Sequence, residues 1–161
     1  MSTHSEQQPF PGFSADEVVT DQPTRSARLK WVVVVDAALP PGRIVNAVAC
    51  VAAATGAGVP RLGAHGGPDA DGVPHPGLPW AGCSVLAADA ATLASVRARA
   101  AAAEDVFLVD MPAAAQTHRV YDDYLAELAR TPGEDLHVAA ISLVGPRNRV
   151  DRIVKKLALL A

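Results

Sequence analysis

Four groups of residues in this chain have types and spacings that could do chemistry. The first is Gly42-Arg43, with Asn46 following on the same apolar stretch. A guanidinium at a helix start, beside free N–H groups and the positive end of the helix dipole, favours a carboxylate or phosphate. The plainer alternative is a solvated arginine. Asn46 stands among Ile44, Val45, Ala47 and Val48, so its amide must find hydrogen bonds, in nearby loop backbone or in a ligand. Cys50 comes one turn later on that face. A nucleophilic thiol needs a base and a lowered pKa, and neither is signalled locally, so a buried structural thiol is expected.

The second group is His65, Asp69, Asp71 and His75. Asp69-x-Asp71-Gly72 has a superficial likeness to a calcium loop, but its glycine comes too early and no closing glutamate follows. Zinc would want tighter His or Cys pairing. A hydrogen-bonded Asx turn is the expected form, and no metal or cofactor is implied. His75 and Asp71 are still candidates to serve as acid or base over a bound ligand. The third group is Asp110, at the polar end of Val106-Phe107-Leu108-Val109. The fourth is Gln116, Thr117, Tyr121 and Tyr124, which at helical spacing would give one face several polar tips. His118, Asp122 and Asp123 read as a solvated face.

These groups need a scaffold, and the composition supports one. The chain has 161 residues, half of them apolar and 19% charged, with only 4% aromatic. That suits one folded domain whose core is built from small and β-branched side chains. The net charge of −3 carries no strongly basic nucleic-acid footprint. Two cysteines, Cys50 and Cys83, lack metal spacing and read as reduced, buried thiols of a cytoplasmic protein. No apolar run is long enough for a membrane span, and no signal pattern opens the chain.

Residues 1–28 are polar and proline-containing and read as a flexible tail, with a capping signal at Ser14-Ala15-Asp16-Glu17. Residues 29–161 read as a single domain. The continuous apolar run at about 30–36 predicts a strand buried on both faces. A helix from about Gly42 to Thr55 should stop at Gly56 and Gly58. Residues 56–82 hold eight of the 12 glycines and five of the 13 prolines, which predicts a long, functional loop. Strands at 83–87, 106–109 and 137–144 alternate with helices at 90–103, from Pro112 onward, and at 147–158. Asp89 should cap the second helix, with Leu93, Val96 and Ala100 facing inward. The alternation predicts a three-layer α/β/α domain with a four-stranded sheet.

Several stretches resemble a known fold family. These are the first strand with Gly42-Arg43 and its helix, the pair Ser84-Val85-Leu86…Ala91-Thr92-Leu93, and the ending Ala140-Ile141-Ser142-Leu143-Val144-Gly145-Pro146…Val150-Asp151-Arg152-Ile153. Together they are similar to type II peptidyl-tRNA hydrolase. Asp69-Ala70-Asp71-Gly72…His75 and Gln116-Thr117-His118…Tyr121-Asp122-Asp123-Tyr124 resemble signatures of an uncharacterised bacterial domain-of-unknown-function family related to it. The resemblance covers about residues 29–161 and implies a mixed sheet with its last strand antiparallel to the others. The hydrolase motifs are not retained. Its Gly-Lys is Gly42-Arg43 here, its Gln and His fall on Ala47 and Cys50, and of its Asp-Ala-Gly-x-Thr loop only Asp110 matches.

The functional expectation is a pocket between the first helix, the 56–82 loop and Asp110. Hydrolysis or acyl transfer on a small anionic amide or ester would use Arg43 to hold the anion and Asn46 to donate a hydrogen bond. Asp110 or His75 would move protons, and Asp71, Gln116, Thr117 and Tyr121 would contact ligand. The alternative from another class is a non-catalytic module binding an amino-acid-like metabolite. A third is tRNA binding through Arg147, Arg149, Arg152, Lys155 and Lys156, for which a solvated helix face is the stronger competitor. The expected partner is thus a small anion rather than nucleic acid or membrane, with a homodimer left open.

Overall fold

The run Trp31–Val35 forms the centre of the molecule, with each of its five residues buried. In the computed structural model, which describes residues 9–161, it belongs to strand β1 (Leu29–Asp36). Helix α1 (Pro41–Gly58) follows, then a short hairpin of β2 (Gly67–Pro68) and β3 (Pro74–His75). Next come β4 (Ser84–Ala88), α2 (Ala90–Ala101), β5 (Phe107–Pro112) and α3 (Tyr121–Leu128). The chain closes with β6 (Val138–Pro146), α4 (Arg147–Ile153) and β7 (Ala158–Leu159).

The main sheet has five strands in the order β5-β6-β1-β4-β7. β1 runs parallel to β4, while β6 is antiparallel to both β1 and β5, so the sheet is mixed. Because side chains alternate across a strand, β1 feeds two cores at once. Val33 and Val35 pack with Ile44, Ala47 and Val51 of α1. Val32 and Val34 pack with Leu93, Val96 and Ala100 of α2 and with Val150 and Ile153 of α4. Each fully buried valine contributes roughly 1.5–3 kcal/mol of apolar burial. This double burial is why the run is continuous rather than alternating.

The five strands correct the expected four. The fifth, β7, pairs antiparallel with Leu86 and Ala87 of β4. It exists because α4 ends at Ile153, not near 158, and Lys156 takes φ 71° to turn the chain back. No glycine marks that turn. α1 also outruns its expected stop. Gly56 and Gly58 stay helical, and a Cβ on Gly58 would lie 2.3 Å from the Phe107 ring, so close packing of β5 requires the bare backbone.

The third helix is also shorter than expected. β5 extends through Pro112, and Ala113 N–H donates to the His137 carbonyl at 2.8 Å. A single 3-10 turn, Ala113–Gln116, then precedes α3. Gln116 and Thr117 therefore do not share a helix with Tyr121. Before β1, the capping signal is present: the Glu17 carboxylate accepts from Ser14 N–H at 2.8 Å. Phe13, in the stretch read as a tail, is 1% exposed and packs its ring 4.8 Å from that of Trp80. Residues 1–8 of that stretch lie outside the described residues.

Candidate functional site

α1 lies over β6 through a buried polar chain. Trp31 Nε1 donates to Ser142 Oγ at 2.8 Å, and Thr55 Oγ1 donates to the Val51 carbonyl at 2.6 Å. Since the Thr55 hydroxyl has only one proton, Ser142 must be the donor in its 2.7 Å bond to Thr55. Three polar groups are thus satisfied inside an apolar layer, which fixes the height and rotation of α1 over the sheet. The sequence reading gave no sign of this chain.

With α1 fixed there, its residues Cys50, Val51 and Ala54 form one wall of a cavity of about 350 Å³. Val109, Asp110, Met111 and Pro112 of β5 form the second wall, and Ala115 and residues 118–121 with Tyr124 form the third. The floor is apolar. The polar tips belong to Cys50, Asp110, His118, Arg119, Tyr121 and Tyr124. His118 Nε2 lies 2.5 Å from Glu127 Oε2, so α3 holds the imidazole. The Tyr121 and Tyr124 rings meet edge to face at 5.5 Å. Burial, then the Tyr121 hydroxyl and the Asp110 charge, pushes the Tyr124 phenol above its ordinary value, so it remains an O–H donor at neutral pH. Arg119 forms no ion pair among the described residues.

The expected site residues divide into three places. Tyr121 and Asp110 reach the cavity, but the Asp110 carboxylate accepts from Arg97 Nε of α2 at 2.5 Å. Arg43, Asn46 and Gln116 come together beside it. Gln116 Nε2 donates to the Arg43 carbonyl at 2.8 Å and to Asn46 Oδ1 at 3.1 Å, which ties the start of α1 to the turn after β5. Thr117 Oγ1 closes its own turn by donating to the Ala114 carbonyl. Asp71 and His75 are elsewhere, on the β2–β3 hairpin. There Asp69 Oδ1 accepts from Asp71 and Val73 N–H, and Asp69 Oδ2 lies 3.2 Å from His75 Nε2. This is the Asx-type loop expected of the spacing.

Two expectations need correction. Both thiols were read as buried, yet Cys50 and Cys83 are exposed. Cys50 is exposed because the buried stripe of α1 runs through Ile44, Ala47, Val51 and Thr55, one residue to the side. The pocket expected against the 56–82 loop is instead walled by β5 and residues 115–124. No residue of the loop lines this cavity; within the loop Trp80 Nε1 donates to the Arg61 carbonyl, and the Trp80 ring packs on Phe13. The reading also missed His118 as a cavity residue, and Arg119 altogether. The available signal was the unbroken polar run His118-Arg119 leading into Tyr121 and Tyr124.

Among the described residues, no group of three or more His, Cys, Asp or Glu side chains is arranged to hold a metal ion. No described helix is long and apolar enough to cross a membrane.

No curated protein matches the chain. Its fold is similar to the solved structure of a protein of unknown function from Agrobacterium tumefaciens strain C58. That likeness has a TM-score of 0.78 at 17% identity and covers 83% of this chain and 98% of that one. At that identity it speaks for the fold alone. A family profile described as "Protein of unknown function (DUF2000)" matches residues 29–161, the whole sheet and its helices, and the chain belongs to that family.

Proposed function

We propose that this protein binds a small amphipathic anion, of the N-acyl amino acid or short acyl carboxylate class, in the cavity between α1, β5 and residues 115–124. The cavity itself carries the reading. Its 350 Å³ fall within the usual span of small-molecule sites, roughly 300–1,000 Å³. Val51, Ala54, Val109, Met111 and Ala115 would take the acyl chain, and Arg119 would pair the carboxylate. The Tyr121 and Tyr124 hydroxyls would fix the orientation. Asn46 stands one turn before Cys50, so a longer ligand would reach it and Arg43 along α1. A thermal-shift screen of N-acyl amino acids against the free amino acids tests this. The acylated set should stabilise the protein, more so with longer chains, and the free set should not. Equal, weak shifts from both would sink the idea.

A catalytic reading is favoured by one specific observation. Cys50 and His118 line the same cavity, and Glu127 holds His118. In that reading the imidazole takes the thiol proton and the sulfur attacks the acyl carbonyl. The leaving alcohol or amine departs with that proton, and water then releases the acid from the thioester. Release of p-nitrophenol from p-nitrophenyl acetate, lost in Cys50→Ser while ligand stabilisation persists, would support it. Stabilisation with no turnover would leave a binding module.

A further inference from the structure

A second pocket, of about 220 Å³, opens away from the cavity where β1 and β4 begin and β6 ends. Thr24, Arg25, Lys30, Gly82, Ser84 and Arg147 are among the residues that line it. Three of them are cations. Lys30 is paired with Asp151 at 2.5 Å. Arg25 and Arg147 have no carboxylate partner among the described residues. Arg147 is half-buried, and its Nη2 donates to the Ala27 carbonyl at 3.0 Å. That bond holds the planar guanidinium still and leaves its other N–H groups unused. A chain of net charge −3 therefore concentrates two unneutralised guanidiniums on one small pocket. The hydroxyls of Thr24 and Ser84 add neutral donors. Gly82, at φ 70°, lies against Thr24, where a Cβ would press on the Thr24 hydroxyl at 3.3 Å.

We propose that this pocket is a second, separate binding site, for inorganic phosphate or the phosphate of a small monoester. A tetrahedral dianion matches two guanidiniums and two hydroxyls better than a planar carboxylate does, and fork-shaped donors suit phosphate oxygens. The pocket's walls are mainly polar side chains and strand ends rather than the aliphatic floor of the first cavity. Although the Cys83 residue as a whole is exposed, burial around its sulfur pushes the thiol up to about 11, so it adds no competing negative charge at neutral pH.

Isothermal titration with inorganic phosphate, and separately with glycerol phosphate, tests the site at ionic strength held constant with sodium chloride. Saturable binding is expected for at least one, and a preference for glycerol phosphate would assign the monoester. Arg25→Gln, at an exposed position, should weaken binding about tenfold without loss of fold. Arg147→Lys should weaken it by less than Arg147→Ala, since charge is kept and the fork is lost. Arg119→Ala should leave it unchanged. The proposal is overturned by an absence of saturable binding at millimolar phosphate. It is equally overturned if Arg119→Ala removes the binding and Arg25→Gln does not, which would put the anion in the first cavity.

Discussion

The β2–β3 loop and the corner formed by α1, β5 and residues 115–124 offer the same kinds of side chain with opposite outcomes. In the loop, one carboxylate, Asp69, gathers two backbone N–H groups and approaches His75, so the polar groups are satisfied by one another. Those bonds hold the Asp69 carboxyl below its ordinary value, led by Val73 N–H and then His75. At the corner, Arg119 and the tyrosine hydroxyls border an apolar hollow instead. The difference lies in what the polar groups are used for: at the corner they rim an apolar hollow, and in the loop they bond one another. The loop's polar residues build a turn.

The comparison breaks most visibly at Gly77. A Cβ there would lie 1.7 Å from the Ala64 carbonyl oxygen, which neither strand of the loop can yield without opening. Gly77→Ala should expose residues 59–82 to rapid hydrogen exchange while N-acyl amino acid binding stays intact. Loss of binding along with the loop would mean that the two regions are one site.

The corner should fail by a different route. Ser142→Ala leaves Trp31 Nε1 buried without an acceptor, at a cost of about 1–3 kcal/mol. Urea unfolding should show a lower midpoint at unchanged slope, together with weaker ligand binding as α1 loses its fixed height. A fully retained midpoint would show that the buried chain does not hold α1.

A smaller effect is expected in the segment before β1, where Glu17 pairs with Arg28 on the surface. The Arg28 hydrogen bond, followed by that from Ser14 N–H, lowers the Glu17 carboxyl to about 2 from 4.5. A depressed folded-state value means that the pair stabilises above about pH 4.5, and this is lost as pH falls toward 2. Solvent screening keeps the effect modest. Wild-type protein should lose stability over that window more steeply than Glu17→Gln, and matching acid profiles would count against the pair.

Most of the scaffold was readable because hydrophobic periodicity reports burial directly. Val32–Val35 had to be a doubly covered strand, and Asp89 had to cap α2, where its carboxylate accepts from Thr92 N–H at 2.7 Å. What escaped depended on contacts distant in sequence. Gly58 stays helical because Phe107 needs the space, and Lys156 turns the chain without a glycine to announce it. Gln116 was legible as polar and placed near ligand, but not as the tie to Arg43 and Asn46 some 70 residues earlier. His118 looked solvated because its partner Glu127 lies nine residues on, across the start of α3.

The central claim is that the corner cavity is the working site, and calorimetry with N-acyl amino acids tests it most directly. Ala54 is exposed on the cavity wall, so Ala54→Phe should fill the hollow without disturbing the core. The account predicts that wild-type protein binds, that Ala54→Phe does not, and that Arg119→Ala binds at least about tenfold more weakly. Undiminished binding in both variants would contradict it.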